Sequence, residues 1–373
     1  MIYLDNAATT APSKSALEKA QIFNEEKYFN PSTLYSDGLN CAKEIKLAKE
    51  NLLKNIGGIN HELIFTSCGS ESDNMAIFCS VKRGTFVTSK GEHSAVYKSF
   101  LELKNRGLNT HFVDLNSDGT VNVNELIETV KSTNADFVSI VHVNNETGGI
   151  NDVNNIAKQI KSLNRKIVFH VDGVQAYGKI PYRLSNDIDL YSISAHKINA
   201  LKGVGALVRK KGVNLSPLIF GGGQENGLRS GTENVFGIKV FEYAAQEKYA
   251  LIKENYQRIS EIKSYILNNL NRENFIVISG ENSSPYILTV SAKGLRGEVV
   301  MHALESEGVI VGNGSACSSK NRFSRVVEAC GYDNAVLDGV IRLSFSVDTT
   351  IEDAVAAVNK LNDTVEKLKG ILK

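Results

Sequence analysis

The chain has 373 residues, 42% hydrophobic and 22% charged, with 42 Lys and Arg against 41 Asp and Glu for a formal charge of +1. That balance excludes an electrostatic case for nucleic acid or an anionic membrane as a direct partner. Five cysteines (Cys41, Cys68, Cys79, Cys317 and Cys330) without a C-x-x-C pair exclude a disulfide framework and a zinc ribbon, so reduced thiols are expected. The opening MIYLDNAATTAPSKS has no basic stretch followed by an apolar run. Later apolar runs fall far short of the roughly 20 residues of a membrane helix. The expected address is the cytoplasm.

Short β-branched runs recur at Leu63–Phe65, Phe86–Thr88, Thr110–Val113, Phe137–Val143, Ile167–Val171, Leu190–Ile193 and Val204–Val208. Stretches with helical spacing lie between several of them. Over Cys41–Asn55 the residues Ile45, Ala48, Leu52 and the following Ile56 share a face, and Gly57-Gly58 ends the pattern. Val123–Lys131 and Val153–Leu163 are similar. This alternation predicts an α/β unit with a mainly parallel sheet covered on both faces. Beyond about residue 235 comes a long helical stretch, Val235–Leu270, as two helices or one bent one. Strands Phe275–Ile278, Ile287–Ser291, Val309–Val311 and Val340–Ser346 follow, with helices near Glu298–Glu305 and Ser324–Ala329 and a terminal helix from Ile351. That texture predicts a smaller α+β unit. We expect a large domain over 14–250 and a small one formed by 1–13 and 251–373.

Six segments carry groups suited to chemistry. Thr66–Asn74 is a small-residue turn leading into an apolar helix. It suits a phosphate at a helix N-terminus, with Gly69 and Ser70 in contact, or it is a plain serine cap. Asp172 and Gln175 follow an apolar strand, where α/β sheets place ligand groups, although a turn Asp with a solvent-facing Gln reads the same way. Ser194, His196 and Lys197 also follow a strand. There Lys197 is either a nucleophilic amine or a surface lysine. The glycine-rich run 221–234 fits a ligand loop or a mobile one. Cys317 sits among small, polar and basic residues that favour an exposed thiolate, or it is a spectator. Arg342 lies inside a β-rich run, where a buried guanidinium needs an anion, unless the strand is an edge facing water.

Together and in this order, these segments resemble the cysteine desulfurases of the class V aminotransferase family, NifS/IscS-like enzymes of the long-loop group. The resemblance extends from Tyr3-Leu4-Asp5-Asn6-Ala7-Ala8-Thr9-Thr10 to Ile341-Arg342-Leu343-Ser344. It includes Asn30-Pro31-Ser32, Glu92-His93, His142–Gly148 and Arg229-Ser230-Gly231-Thr232. It implies the pyridoxal-phosphate-dependent transferase fold, fold type I, like aspartate aminotransferase. The implied cofactor is pyridoxal 5'-phosphate, with no metal.

The roles implied by the resemblance are specific. Lys197 forms the Schiff base and moves a proton at the substrate α-carbon. Asp172 pairs with the ring nitrogen, Gln175 with the ring oxygen, and His93 stacks on the ring. Gly69, Ser70, Ser194 and His196 hold the phosphate, and Thr232 reaches the phosphate of a neighbouring subunit in a homodimer. Asn145 and Arg342 clamp the carboxylate of L-cysteine. Cys317 takes the sulfur as a persulfide, leaving L-alanine. An iron–sulfur scaffold or a tRNA-thiolation enzyme is the implied sulfur-acceptor protein. Selenocysteine lyase, another class V aminotransferase activity and a non-enzymatic iron–sulfur scaffold are the competing readings. The chain departs from the family pattern after Lys197, where Ala200-Leu201 replaces a common Gly-Pro, and at Cys68-Gly69-Ser70, which replaces Gly-Ala-Thr. Tyr35 stands where a His is frequent.

Overall fold

The computed structural model describes residues 1–313 and 323–371. Cys317 lies outside the described residues.

The strands, in chain order, are β1 (Ile2–Leu4), β2 (His61–Thr66), β3 (Thr85–Ser89), β4 (Asn109–Val113), β5 (Phe137–Val141), β6 (Val168–Asp172), β7 (Leu190–Ser194), β8 (Gly205–Lys210), β9 (Phe275–Val277), β10 (Ile287–Ala292), β11 (Val309–Asn313) and β12 (Val340–Ser344). Seven of them form one sheet in the order β2-β8-β7-β6-β5-β3-β4. Strands β3 to β7 run parallel, and β8 is antiparallel to both of its neighbours, β7 and β2. The C-terminal ends of β2, β3, β5, β6 and β7 therefore share one edge. Side chains along each strand alternate between two cores. Val138 and Ile140 join one core with the helices Ser36–Asn55, Val153–Leu163 and Val235–Ala250. Phe137 and Phe86 join the other with Gly69–Ser80 and Ser94–Asn105.

The second sheet has the order β1-β11-β12-β10-β9. Its core unites Leu4 with Ile259, Ile266, Leu288, Ile341, Leu343 and Leu361. The first strand of the chain thus belongs to the sheet that the last strand completes, and β1 pairs parallel with β11. The long stretch after residue 235 is two helices, Val235–Ala250 and Ile252–Asn269, separated at Leu251. The mixed α/β architecture matches the expected fold class. Two expected strands are shorter than their apolar runs. Phe137–Val143 stops at Val141, and Val143 instead makes a single bridge to Ile150. Val340–Ser346 stops at Ser344. Among the described residues, no helix is long and apolar enough to cross a membrane.

Leu4 has no exposed surface. Truncation to Ala leaves a cavity in the second core and should cost about 2–5 kcal/mol. The denaturant midpoint of Leu4→Ala should fall accordingly, and an unchanged midpoint would show that β1 is not held by this core.

Candidate active site

Loops at the shared strand edge enclose a cavity of about 370 Å³, within the range of small-molecule sites. Its lining includes Gly69, Ser70, His93, Asn145, Asp172, Gln175, Ser194, His196, Lys197 and Arg342. These are the residues singled out in the sequence, except Thr232 and Cys317. Thr232 is exposed and lies outside this lining.

One end of the cavity is built for an anion. The helix Gly69–Ser80 begins there, and its N-cap, Cys68, makes no side-chain cap bond to the first turn. The free amides and the helix dipole favour negative charge. A Cβ on Gly69 would meet Val174 Cγ2 at 2.8 Å and Ser194 Cβ at 3.4 Å, so glycine leaves room here without a shift of Val174. The Ser194 hydroxyl is buried there without a partner. His196, lowered to about 4 by burial and by nearby Lys197, is neutral, and its Nδ1 lies 3.2 Å from Thr9 Oγ1.

The other end holds carboxyls. Asp172 closes β6 and accepts from the Val174 amide at 3.0 Å. Burial raises its proton affinity, while His93 and Lys197 act in the opposite direction. Asp73, from the phosphate-type helix, is 1% exposed. Ligand atoms of Asp73, His93 and Asp172 all lie within 4.8 Å of one another. Two buried carboxyls this close cannot both be charged without a cation, so they share a proton. Asp73 is the one held neutral, its affinity raised first by burial and then by Asp172. His93 caps helix Ser94–Asn105 by accepting the Ala95 amide on Nδ1 at 3.2 Å. Burial keeps its imidazole neutral, so its proton sits on Nε2.

Lys197 follows β7 in a single 3-10 turn. Its Nζ donates to the carbonyls of Ala7 and Ala8 at 2.6 and 2.7 Å. Gln175 donates to the same Ala7 carbonyl at 3.0 Å. Arg342, central in β12, donates to Asp5 Oδ1 at 2.7 Å and to the Asn145 carbonyl at 2.9 Å. Gly312 stands opposite Arg342 on β11, and a Cβ there would lie 2.6 Å from Asp5 Oδ1 and 2.9 Å from Arg342 Nη2. Asn144 bonds the amides of Glu146 and Thr147 and the Gly91 carbonyl, which fixes the loop that presents Asn145.

Sequence reasoning missed Asp5, Asp73, Glu92, Lys179 and Gly312. Asp5, Asp73 and Glu92 lie inside segments already singled out, Lys179 is four residues after Gln175, and Gly312 is one residue beyond the strand expected over Val309–Val311. Cys68 also differs from the purely structural thiol expected of it. Cys41, Cys79 and Cys330 are buried, whereas Cys68 is half-buried and lines the cavity.

Four buried side-chain atoms without a hydrogen-bond partner among the described residues belong to this lining: Asp73 Oδ1, Asn145 Oδ1, Ser194 Oγ and Arg342 Nε. Each such atom costs about 1–3 kcal/mol. All four residues line one cavity, whose lining fits a polar ligand with an anionic group near Gly69 and another near Arg342.

Glu92 precedes His93 and is fully buried, accepting from Ser89 Oγ at 2.6 Å. Burial raises its pKa from 4.5 to about 8. The folded state therefore holds a proton that the unfolded chain releases above pH 4.5. The stability this group confers is full below pH 4.5 and is lost as pH rises through 8, by up to about 1.4 kcal/mol per pH unit. Glu92→Gln should remove that component, so its stability relative to wild type should rise between pH 5 and pH 8. Parallel pH profiles for the two proteins would refute the assignment.

A family model, Aminotransferase class-V, matches residues 2–356. The cysteine desulfurase IscS of Dictyoglomus turgidum is 36% identical, over 99% of this chain and 96% of that relative. A solved NifS-like protein superposes with a TM-score of 0.91 at 32% identity, covering 98% of this chain and 99% of that one. SspA, solved in complex with cysteine, gives a TM-score of 0.80 at 27% identity, over 92% of this chain and 99% of that one. Matched from end to end in sequence and fold, the chain belongs to the class-V aminotransferase family.

Proposed function

We propose that this chain is a pyridoxal-phosphate-dependent cysteine desulfurase. The observation that carries the reading is the gathering of Gly69, His93, Asp172, Gln175, Lys197 and Arg342 around one cavity. The residues present fit pyridoxal 5'-phosphate. Gly69, Ser70, Ser194 and His196 would hold its phosphate, Asp172 its ring nitrogen, Gln175 its ring oxygen and His93 its ring face. When bound, the cofactor supplies an electron sink for charge developing at the substrate α-carbon.

The chain's own groups do the rest. Arg342 and Asn145, which line the cavity, would bind the carboxylate of L-cysteine. Asp5 and the Asn145 carbonyl hold the guanidinium in place. Lys197, at the mouth of the phosphate end, holds and moves the proton at the α-carbon. Asp172 remains the anionic partner of the ring nitrogen because Asp73 carries the one proton of the pair. Sulfur passes to the Cys317 thiolate. The substrate C–S bond breaks and an S–S bond forms, giving L-alanine and a cysteine persulfide. Delivery to an iron–sulfur scaffold or a tRNA-thiolation enzyme would follow.

A homodimer completes the reading. Leu34 and Phe220, 90% and 81% exposed, supply apolar surface for a second copy, and exposed Thr232 would reach the partner's phosphate.

The decisive experiment incubates the holoprotein with L-cysteine and measures alanine. Lys197→Ala should abolish alanine formation, and Cys317→Ala should abolish both persulfide and turnover. Undiminished alanine from Cys317→Ala would refute sulfur transfer to Cys317. A second measurement isolates the carboxylate clamp. Asp5→Asn removes the charge that orients Arg342, so KM for L-cysteine should rise about tenfold with a smaller change in kcat. An unaltered KM would remove Asp5 from the clamp.

A further inference from the structure

We infer that Lys179 is a positioning residue that sets the orientation of the Gln175 amide and thereby the hydrogen bond offered to the ring oxygen. The inference rests on the cofactor reading above.

Lys179 is 5% exposed and Gln175 is 4% exposed. The segment after β6 forms a helical turn, with Tyr177 bonding back to Gly173 and Ile180 to Ala176. That turn places residues four apart on one face. Lys179 Nζ donates to Gln175 Oε1 at 2.7 Å, and Gln175 Nε2 donates to the Ala7 carbonyl at 3.0 Å.

A carboxamide has two faces of nearly equal shape, and its neighbours alone decide which end points where. Reversing Gln175 would place its oxygen against the Ala7 carbonyl and its NH2 against the Lys179 amine. The contact with Ala7 would then be repulsive, and the bond that Lys179 Nζ donates to Oε1 would be lost. The observed orientation uses one N–H on Ala7 and leaves the second N–H of Nε2 for the cavity. A ring oxygen that gains negative character needs that donor.

Lys179 has no other evident reason to be buried here. The charges that act on it are those of Lys197, Lys248 and Arg342, all cations, and burial itself disfavours its charged form. Burying an amine among cations is costly. Its retention at this point is accounted for by the bond to Gln175. Lys197 donates to the same Ala7 carbonyl. The Lys179–Gln175–Ala7 chain therefore ends on the acceptor shared with the reactive amine.

The test is a double-mutant cycle on the holoenzyme with Gln175→Ala, Lys179→Met and the double variant. It is read as kcat and KM for alanine formation and as the visible absorption band of bound pyridoxal phosphate. Lys179→Met should lower kcat about tenfold, the scale of lost second-layer support around a reactive centre, with KM nearly unchanged. It should also shift the absorption band. In the Gln175→Ala background it should do neither. Lys179→Gln, one methylene shorter, provides the same cycle should the Met variant fold poorly, with the same direction and a smaller loss. Equal effects of the Lys179 substitution in both backgrounds, or an unshifted band with unchanged kcat, would overturn the inference. A wild-type chain that takes up no pyridoxal phosphate would sink the functional reading and the inference with it. A wild-type holoenzyme with additive losses would sink the inference alone.

Discussion

The site depends on where the first ten residues lie. Strand β1 is held in the second sheet by Leu4 and by pairing with β11. The chain then crosses to the C-terminal edge of the large sheet within a few residues. Asn6 Nδ2 donates to the Ser344 carbonyl at 3.0 Å, and Ser344 Oγ receives the Ala7 amide at 2.8 Å. Thr10 Oγ1 donates to the His196 carbonyl at 2.8 Å. Between these anchors, the Ala7 and Ala8 carbonyls meet Lys197 and Gln175, while Asp5 meets Arg342. A short irregular segment, pinned at both ends, thus carries the geometry of groups drawn from two sheets. Backbone carbonyls suit this work because their direction is set by the chain and not by a rotamer.

The charges are arranged on the same frame. The carboxyls lie at the end of the cavity where β6 stops, and the free helix amides and Ser194 lie at the other. Lys197 and Arg342 are the cationic side chains of the lining among the described residues. Burial strengthens each of these interactions and also penalises any that is left unmatched. The sharing of one proton by Asp73 and Asp172 follows from that penalty. So does the neutrality of His93, His196 and Glu92, each shifted toward its uncharged form by burial. A cavity of this kind favours a ligand bearing its own positive ring nitrogen at the acidic end and its own anion at the amide end.

Much of this was legible in the sequence, for a definable reason. Ligand groups of an α/β sheet gather where apolar strands end, and Asp172 and Lys197 stand at the ends of β6 and β7. Strand β1 was not legible, because three residues carry no period. Helix Ser94–Asn105 was obscured because its cap is His93, a residue type that gives a weak start signal compared with Ser or Asp. The break at Leu251 separates two helical stretches without a Gly or Pro to mark it. Asp73 and Lys179 were missed because a carboxyl or amine in a helical turn reads as a solvated group until tertiary packing buries it. Gly312 has no side chain to signal a role, and only the register of β11 against β12 reveals that it faces Arg342.

The turn after Lys197 shows how the frame absorbs a departure from the family pattern. Without Gly-Pro, the reversal falls to Asn199, which adopts a φ of 62°. Asparagine tolerates this left-handed region better than other side chains with a Cβ. Its side chain and backbone also add bonds that a glycine could not supply in full. The Asn199 amide donates to Thr10 Oγ1 at 2.7 Å, and Nδ2 donates to the Ala11 carbonyl at 2.8 Å and to Asp348 Oδ2 at 3.1 Å. Ala200, 1% exposed, then closes the turn by bonding back to the Ala195 carbonyl at 3.2 Å. The stiffness that a proline would give through its fixed φ is here supplied by hydrogen bonds to residues 10 and 11. Those residues continue the same N-terminal segment whose Ala7 and Ala8 carbonyls receive Lys197. The turn behind the lysine and the acceptors in front of it are therefore one mechanical unit, and a substitution in either is transmitted to the position of Nζ.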